Sequence, residues 1–378
     1  MRTKKSPLSL FIVLCLLITL PILLVSGCSQ KTSDVMDTTS NPKAEITAAT
    51  NIEQETTISD TALSDTRVIT DLAGRKITLP VDITMISVLH PIPCQMVWRL
   101  APEKLASVDK QFTERLEFMS DDEEKRLLAL PINGEFHSDM NVEDLLAVSP
   151  QVVITLTKDM KIESEQKKVG IPFVAASKDT LEEIADSWRL IGKIVGNEKE
   201  GNELGDYWDE TIKKVTDQTS KINESDKLKV YYAQPDVTKT VGSRTIMASI
   251  ISLAGGISFM EANPQMESAN TSEEIQVSLE QIYQWNPDVI ITKTAKGRDE
   301  ILSKDAWKDI AAVKNKRVYA STKYEMLDRT QSLMGLLWTA KMLYPDKVKI
   351  DLNKEVKTFY SKVYLDNNVT NDQINQTN

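Results

Sequence analysis

Two histidines, a cysteine in mid-chain and a set of arginines and lysines are the residues with which this 378-residue chain could do chemistry. His90 stands in His90-Pro91-Ile92-Pro93-Cys94, and His137 in Asn133-Gly134-Glu135-Phe136-His137-Ser138-Asp139. A neutral imidazole nitrogen is a metal ligand, so both are candidates to bind metal, each as an axial ligand to a bound complex. A bare zinc site asks for three or four His, Asp, Glu or Cys ligands. Glu135, Asp139 and Cys94 could add donors, but no spacing joins them to the histidines. Farther along, Arg244, Lys293, Lys296, Arg298 and Arg329, with Tyr324, suit the carboxylates, phosphates or catecholates of an anionic chelate, because guanidinium forks pair well with such groups. Pro91, Cys94, Phe136 and Gln234 complete the candidate ligand contacts. Bond-breaking chemistry has little behind it. His137-Ser138-Asp139 holds the residue types of a hydrolytic triad, but adjacent positions cannot take up its geometry. The chain has no Gly-x-Ser-x-Gly elbow and no phosphate-cradling glycine loop. Binding is therefore the expected work, and a membrane-anchored hydrolase using His90 or His137 is the alternative of another class.

These residues need elements to hold them, and a repeat shows what the elements are. Asn141-Val142-Glu143-Asp144-Leu145-Leu146-Ala147-Val148-Ser149-Pro150-Gln151-Val152-Val153-Ile154-Thr155 returns 137 positions later as Ser278-Leu279-Glu280-Gln281-Ile282-Tyr283-Gln284-Trp285-Asn286-Pro287-Asp288-Val289-Ile290-Ile291-Thr292. Each copy opens on an N-cap residue, Asn141 or Ser278, with Asp144 or Gln281 at the third helical position. Each helix stops at a proline, and an apolar run follows, as in a strand covered on both faces of a parallel sheet. So wide a period predicts two similar α/β lobes rather than a small-repeat solenoid. Met85 to Leu89 reads as a buried strand with His90 to Cys94 as the loop at its carboxyl end, and a helix begins near Gln95. Ligands of open α/β sheets bind outside the carboxyl ends of the strands. Leu204, Trp208, Ile212, Val215 and Ile222 keep to one helical face, predicting a helix from Glu198 to about Ile222, long enough to join two lobes as a strut. Lys293 to Gly297 and Tyr324 to Arg329 read as loops at strand ends.

The chain opens on an addressing segment. Arg2, Lys4 and Lys5 precede an apolar run from Leu8 to Val25, then Ser26-Gly27-Cys28. Positive charge, an apolar stretch and small residues mark a secretory signal, and Val25-Ser26-Gly27-Cys28 resembles the lipobox of bacterial lipoproteins. That resemblance implies cleavage after Gly27 and a lipid on Cys28, with a permanent transmembrane anchor as the alternative. Removing Arg2, Lys4 and Lys5 takes the basic count from 45 to 42 against 55 acidic residues, a formal charge of −13. Such a balance argues against nucleic acid or anionic lipid as the main partner. With Cys15 removed and Cys28 lipidated, Cys94 has no intramolecular disulfide partner. Ser29 to Thr66 is rich in Ser, Thr, Asp, Asn and Ala, and reads as an unfolded tether.

Lipobox, polar tether, two α/β lobes and one long connecting helix together resemble the substrate-binding lipoproteins of ABC importers for iron-siderophores, haem and cobalamin. The resemblance runs from about Arg67 to Tyr364 and rests on the paired repeat, Leu253-Ala254-Gly255-Gly256, Trp307 ahead of Ala312 to Tyr319, and Gly335-Leu336-Leu337-Trp338 leading to Leu343-Tyr344-Pro345. It implies Rossmann-like lobes at 67–197 and 224–366 around a helix at 198–223, after a signal at 1–27 and a lipidated tether at 28–66, with a polar tail at 367–378. It implies a ligand held in the cleft between the lobes: an iron chelate, a siderophore complex or haem, or a corrinoid, with an oxyanion such as molybdate or a metal ion as the alternative for the same fold. No cofactor of its own is expected. The implied partners are a permease dimer with its cytoplasmic ATPase, met through Glu143 and Glu280, and a membrane met through the lipid; the protein itself is expected to be a monomer on the extracytoplasmic face. Family members often carry Ser-Pro-Arg before the last large helix, where this chain has Arg329-Thr330-Gln331.

Overall fold

The computed structural model describes residues 65–114, 116, 118–134, 140–156, 161–177, 180–266, 274–322, 330–370 and 372. Its strands are β1 (Thr66–Thr70), β2 (Lys76–Pro80), β3 (Ile86–Val88), β4 (Leu105–Asp109), β5 (Ile132–Gly134), β6 (Val152–Leu156), β7 (Phe173–Ser177), β8 (Lys229–Ala233), β9 (Lys239–Thr240), β10 (Ile257–Ser258), β11 (Ile275–Gln276), β12 (Val289–Thr292) and β13 (Val318–Ala320). The α-helices are α1 (Pro91–Leu100), α2 (Lys110–Thr113), α3 (Asp121–Leu128), α4 (Val142–Val148), α5 (Ile162–Val169), α6 (Ile184–Val195), α7 (Glu198–Thr219), α8 (Ile246–Leu253), α9 (Phe259–Ala262), α10 (Leu279–Trp285), α11 (Ala295–Ser303), α12 (Ala311–Lys314), α13 (Ser332–Leu343) and α14 (Leu352–Val363).

Two parallel sheets carry the fold. The first runs β5-β4-β3-β6-β7 and the second β10-β8-β12-β13. The second order repeats the last four places of the first, so the sequence repeat is a repeat of topology, with β5 as an extra edge strand. α4 and α10 begin as their sequences predict. The Asn141 side chain accepts from the Glu143 and Asp144 amides, while Ser278 and Gln281 close a reciprocal capping box. Both helices end on a left-handed residue, Ser149 (φ 52°) and Asn286 (φ 50°), ahead of the prolines. The strands that follow, β6 and β12, are buried, as expected of strands covered on both faces.

Before the first sheet, β1 and β2 form an antiparallel hairpin whose turn places Gly74 at φ 82°. Asp71 fastens it to β7. Its carboxylate accepts from the Arg75 amide at 2.8 Å and the Ala175 amide at 3.1 Å, and pairs with the Arg75 guanidinium at 2.7 Å.

α7 is 22 residues long, about 33 Å, and its Leu204, Trp208, Ile212 and Val215 are buried as their spacing requires. It ends at Thr219 rather than near Ile222, where the Ser220 amide closes the last turn on the Thr216 and Gln218 carbonyls, and the Thr219 hydroxyl donates to the Leu253 carbonyl at 2.7 Å. α6 lies so close against α7 that a Cβ on Gly192 or Gly201 would come within 2.8 Å of opposing backbone. One hydrophobic core runs from the first sheet (Ile86, Val88, Leu105) through α6, α7 and α13 to the second (Val230, Val289, Ile291).

α14 returns from the second half of the chain to the first. Lys214 on α7 pairs with Glu355 at 2.8 Å, and the Arg99 and Gln95 side chains of α1 donate to the Lys362 and Val363 carbonyls at 2.7 and 3.5 Å. Phe118, Tyr360 and Tyr364 stack with ring centroids 4.5 to 5.2 Å apart, and Trp98 reaches Tyr364 at 6.3 Å. The expected polar tail begins less loosely than its composition suggests: Val369 is buried in this same core.

Candidate ligand-binding site

The two sheets present equivalent carboxyl ends. Val153 pairs with Ser87 in the first sheet, and its repeat partner Ile290 pairs with Tyr231 in the second. Counting three residues on from each puts His90 and Gln234 at matching places. Both are buried, His90 at 8 % exposure and Gln234 at 7 %. The segment after β7 reaches the second half of the chain: the Leu181 amide donates to the Ser249 hydroxyl of α8 at 3.0 Å, and Trp208 of α7 donates to the Leu181 carbonyl at 2.9 Å.

His90 is the N-cap of α1, its Nδ1 accepting from the Ile92 amide at 3.3 Å. The helix therefore starts at Pro91, not near Gln95. Proline at the first helical position has no amide to leave unpaired and its φ suits the helix. A metal on Nδ1 would have to displace the cap. Cys94 corrects an expectation more sharply. It is fully buried, its Sγ accepts from the Asp109 amide at 3.3 Å, and burial pushes its thiol well above the ordinary range, so it belongs to the core and not to a ligand surface.

Arg244 and Lys296 are both exposed. Arg244 sits one residue before Thr245, the N-cap of α8. Lys296 is in the first turn of α11, not in a loop, because the Thr294 side chain accepts from the Gly297 amide and starts that helix early. Neither side chain pairs with any described residue. Neither first turn holds an acidic residue. A cation at a helix amino end is opposed by the helix dipole, by about 0.3–1 kcal/mol. Two such unpaired cations therefore stand at helix starts where the dipole does not favour them. Arg298 differs, since it pairs with Asp299 at 2.8 Å. Lys293 continues from β12, its amide donating to the Ala233 carbonyl at 2.9 Å.

Cys28, Phe136, His137, Tyr324 and Arg329 lie outside the described residues, as do Cys15, Glu135 and Asp139. Among the described residues no three His, Cys, Asp or Glu side chains are grouped to hold a metal ion. Glu143 and Glu280 are exposed in the first turns of α4 and α10, at repeat-equivalent positions.

Residues 89–325 match the family described as periplasmic binding protein. This chain belongs to that family. It is a solute-binding protein of the kind that serves ABC importers, and not an enzyme. The molybdate-binding protein MolA of Haemophilus influenzae is 27% identical over 338 residues, 81% of this chain and 93% of its own length. The structure of MolA bound to molybdate superposes with a TM-score of 0.66 at 25% identity, covering 79% of this chain and 98% of that one. The Fe(3+)-citrate-binding protein YfmC of Bacillus subtilis is 27% identical over 48% of this chain and 56% of its own length. An ABC transporter solute-binding protein from Sulfurospirillum deleyianum has the same fold, with a TM-score of 0.72, 24% identity, and coverage of 81% and 97%. In a periplasmic binding protein of this architecture, the two-lobed α/β arrangement read from the repeat is the one present.

Proposed function

We propose that this protein captures a small anion outside the cytoplasm, a tetrahedral oxyanion of the molybdate kind, and hands it to an ABC permease. The observation that carries the reading is the pair of unpaired cations, Arg244 and Lys296, each at the start of a helix after a strand end. The likeness to a molybdate-binding protein over most of both chains supports the same ligand class. Likeness to a ferric-citrate-binding protein supports a second anionic ligand, an iron(III) carboxylate chelate, which returns to the iron chelates implied by the sequence resemblance. Haem and corrinoid have no comparable support in the charge pattern. Calorimetric titration with molybdate, ferric citrate, haem and cobalamin is the test. Saturable binding of molybdate or ferric citrate is expected, and binding confined to haem or cobalamin would overturn the anion reading.

Anchoring and docking complete the proposal. Cys28 carries the lipid, and two relatives from Bacillus subtilis are themselves described as substrate-binding lipoproteins. Glu143 and Glu280 meet the permease dimer, one from each lobe. Reversing both to lysine is expected to abolish uptake of the ligand into cells while its affinity for the purified protein stays the same. Uptake at the original rate would remove these glutamates from the interface.

A further inference from the structure

Residues 141–150 and 278–287 are alike in burial as well as in sequence. Place for place, both segments are exposed at the first, third, fourth, sixth, seventh and ninth residues and buried at the fifth and tenth. The buried fifth places serve the fold, since Leu145 and Ile282 belong to the cores beneath α4 and α10. Most of the exposed places serve it too. Asn141 and Ser278 are the N-caps, Asp144 accepts from the Asn141 side chain, Gln281 closes its capping box, and Ser149 and Asn286 take the left-handed turn. At the seventh place Ala147 and Gln284 have nothing in common.

Two places are left, and at each the lobes agree in kind. The third is Glu143 or Glu280. The sixth is a large apolar side chain turned to solvent, Leu146 at 45 % exposure and Tyr283 at 50 %. Residues three apart on a helix are neighbours, with about 5–6 Å between Cβ atoms, so each lobe shows a carboxylate with an apolar side chain beside it. One exposed leucine is ordinary on a protein surface. The same pairing at both repeat places, where packing asks for neither residue, is one surface feature made twice.

We propose that Leu146 and Tyr283 are the apolar contacts by which the two lobes seat on a two-fold symmetric partner, the permease dimer. The inference rests on the docking reading of Glu143 and Glu280 and adds to it the residues that hold the contact closed. A partner that meets one feature twice must offer its complement twice, and a dimer of identical subunits does so by symmetry. That complement is a cation with an apolar shelf next to it. An ion pair open to water is weak. Covered by an apolar neighbour it is shielded from solvent, and the apolar area buried there adds attraction of its own.

The test is photo-crosslinking in cells that carry the full chain and its permease. A benzophenone amino acid stands in place of Leu146, of Tyr283, or of two controls of equal exposure, Val81 at 45 % and Leu302 at 50 %. The readout does not depend on which ligand is bound. Leu146 and Tyr283 are each expected to capture one and the same membrane-embedded polypeptide, and the controls to capture little of it. No capture, capture of two different polypeptides, or capture no stronger than at Val81 and Leu302 overturns the proposal. Leu146→Ser and Tyr283→Ser together should weaken binding of the purified protein to vesicles holding that polypeptide by about tenfold or more. Both side chains are exposed, so the melting temperature should hold in the double variant, and an unchanged affinity overturns the proposal as well. The glutamates are judged apart from this. Capture that persists with Glu143→Lys and Glu280→Lys keeps the apolar contact and removes the glutamates. Uptake lost on charge reversal, with no capture at either apolar place, keeps the glutamates and removes the apolar contact.

Discussion

Exchanging Arg244 and Lys296 together for glutamate is expected to weaken molybdate binding by at least about 100-fold. A hydrogen bond to a charged group contributes about 1.5–3 kcal/mol, and each 1.4 kcal/mol is a factor of ten in affinity. Losing two such contacts and adding two negative charges at the helix starts therefore removes most of the attraction for an anion. Both side chains are exposed and unpaired in the free protein, so their exchange leaves no buried partner stranded and thermal stability should hold. In the absence of ligand the exchange has a favourable sign: the acidic side chains would suit the amino ends of α8 and α11, where the cations do not. Weaker binding together with equal or raised stability is the signature that separates a ligand-binding role from a structural one. Affinity unchanged in the double variant would place the anion elsewhere. The paired glutamine variants should fall between, and the affinity of the natural protein should drop as salt is added, because exposed charges are screened over about 10 Å at 0.1 M.

A second large effect is expected where the chain's end closes over its beginning. Truncating Tyr360 to alanine is expected to destabilise the protein by about 3–5 kcal/mol, the range for loss of a large buried aromatic. Tyr360 is fully buried and touches Phe118 at 4.5 Å, Tyr364 at 5.2 Å and Phe359 at 5.3 Å between ring centroids. Because Phe118 lies in the first half and the three others in the last helix and its end, the loss falls on the bond between halves as well as on one core. Urea denaturation measures the first effect. The second is read from the Trp98 fluorescence, since that indole donates to Glu123 at 2.8 Å and lies 6.3 Å from Tyr364. A stability change under about 1 kcal/mol, the range of ordinary surface substitutions and small packing changes, would show that α14 is an ornament to the fold and not its brace.

The repeat made the architecture legible, because caps, prolines and apolar runs act locally and leave their marks in sequence. Asn141, Ser278 and Gln281 cap as expected, and β6 and β12 follow where the apolar runs stand. The candidate site was legible in part. Arg244 falls just ahead of its helix and His90 at its strand end, but the helix that His90 starts was set several residues too late, because two prolines read as a loop until the cap that tolerates them is seen. Lys296 reads as a loop residue for a related reason: the stretch from Lys293 to Gly297 has no apolar spacing, and the helix start is set by the Thr294 side chain, which accepts from the Gly297 amide. Cys94 resembles a ligand by its neighbours in sequence, yet it lies in α1 with its side chain turned inward to meet the Asp109 amide.

The return of α14 orders events in time as well as in space. A chain is made from its amino end, and the early half here carries Gln95, Trp98, Arg99 and Phe118, whose partners are Tyr360, Lys362, Val363 and Tyr364. Until the last few dozen residues have been delivered, that early half lacks the aromatic cover and the carbonyl acceptors that α14 and its end supply.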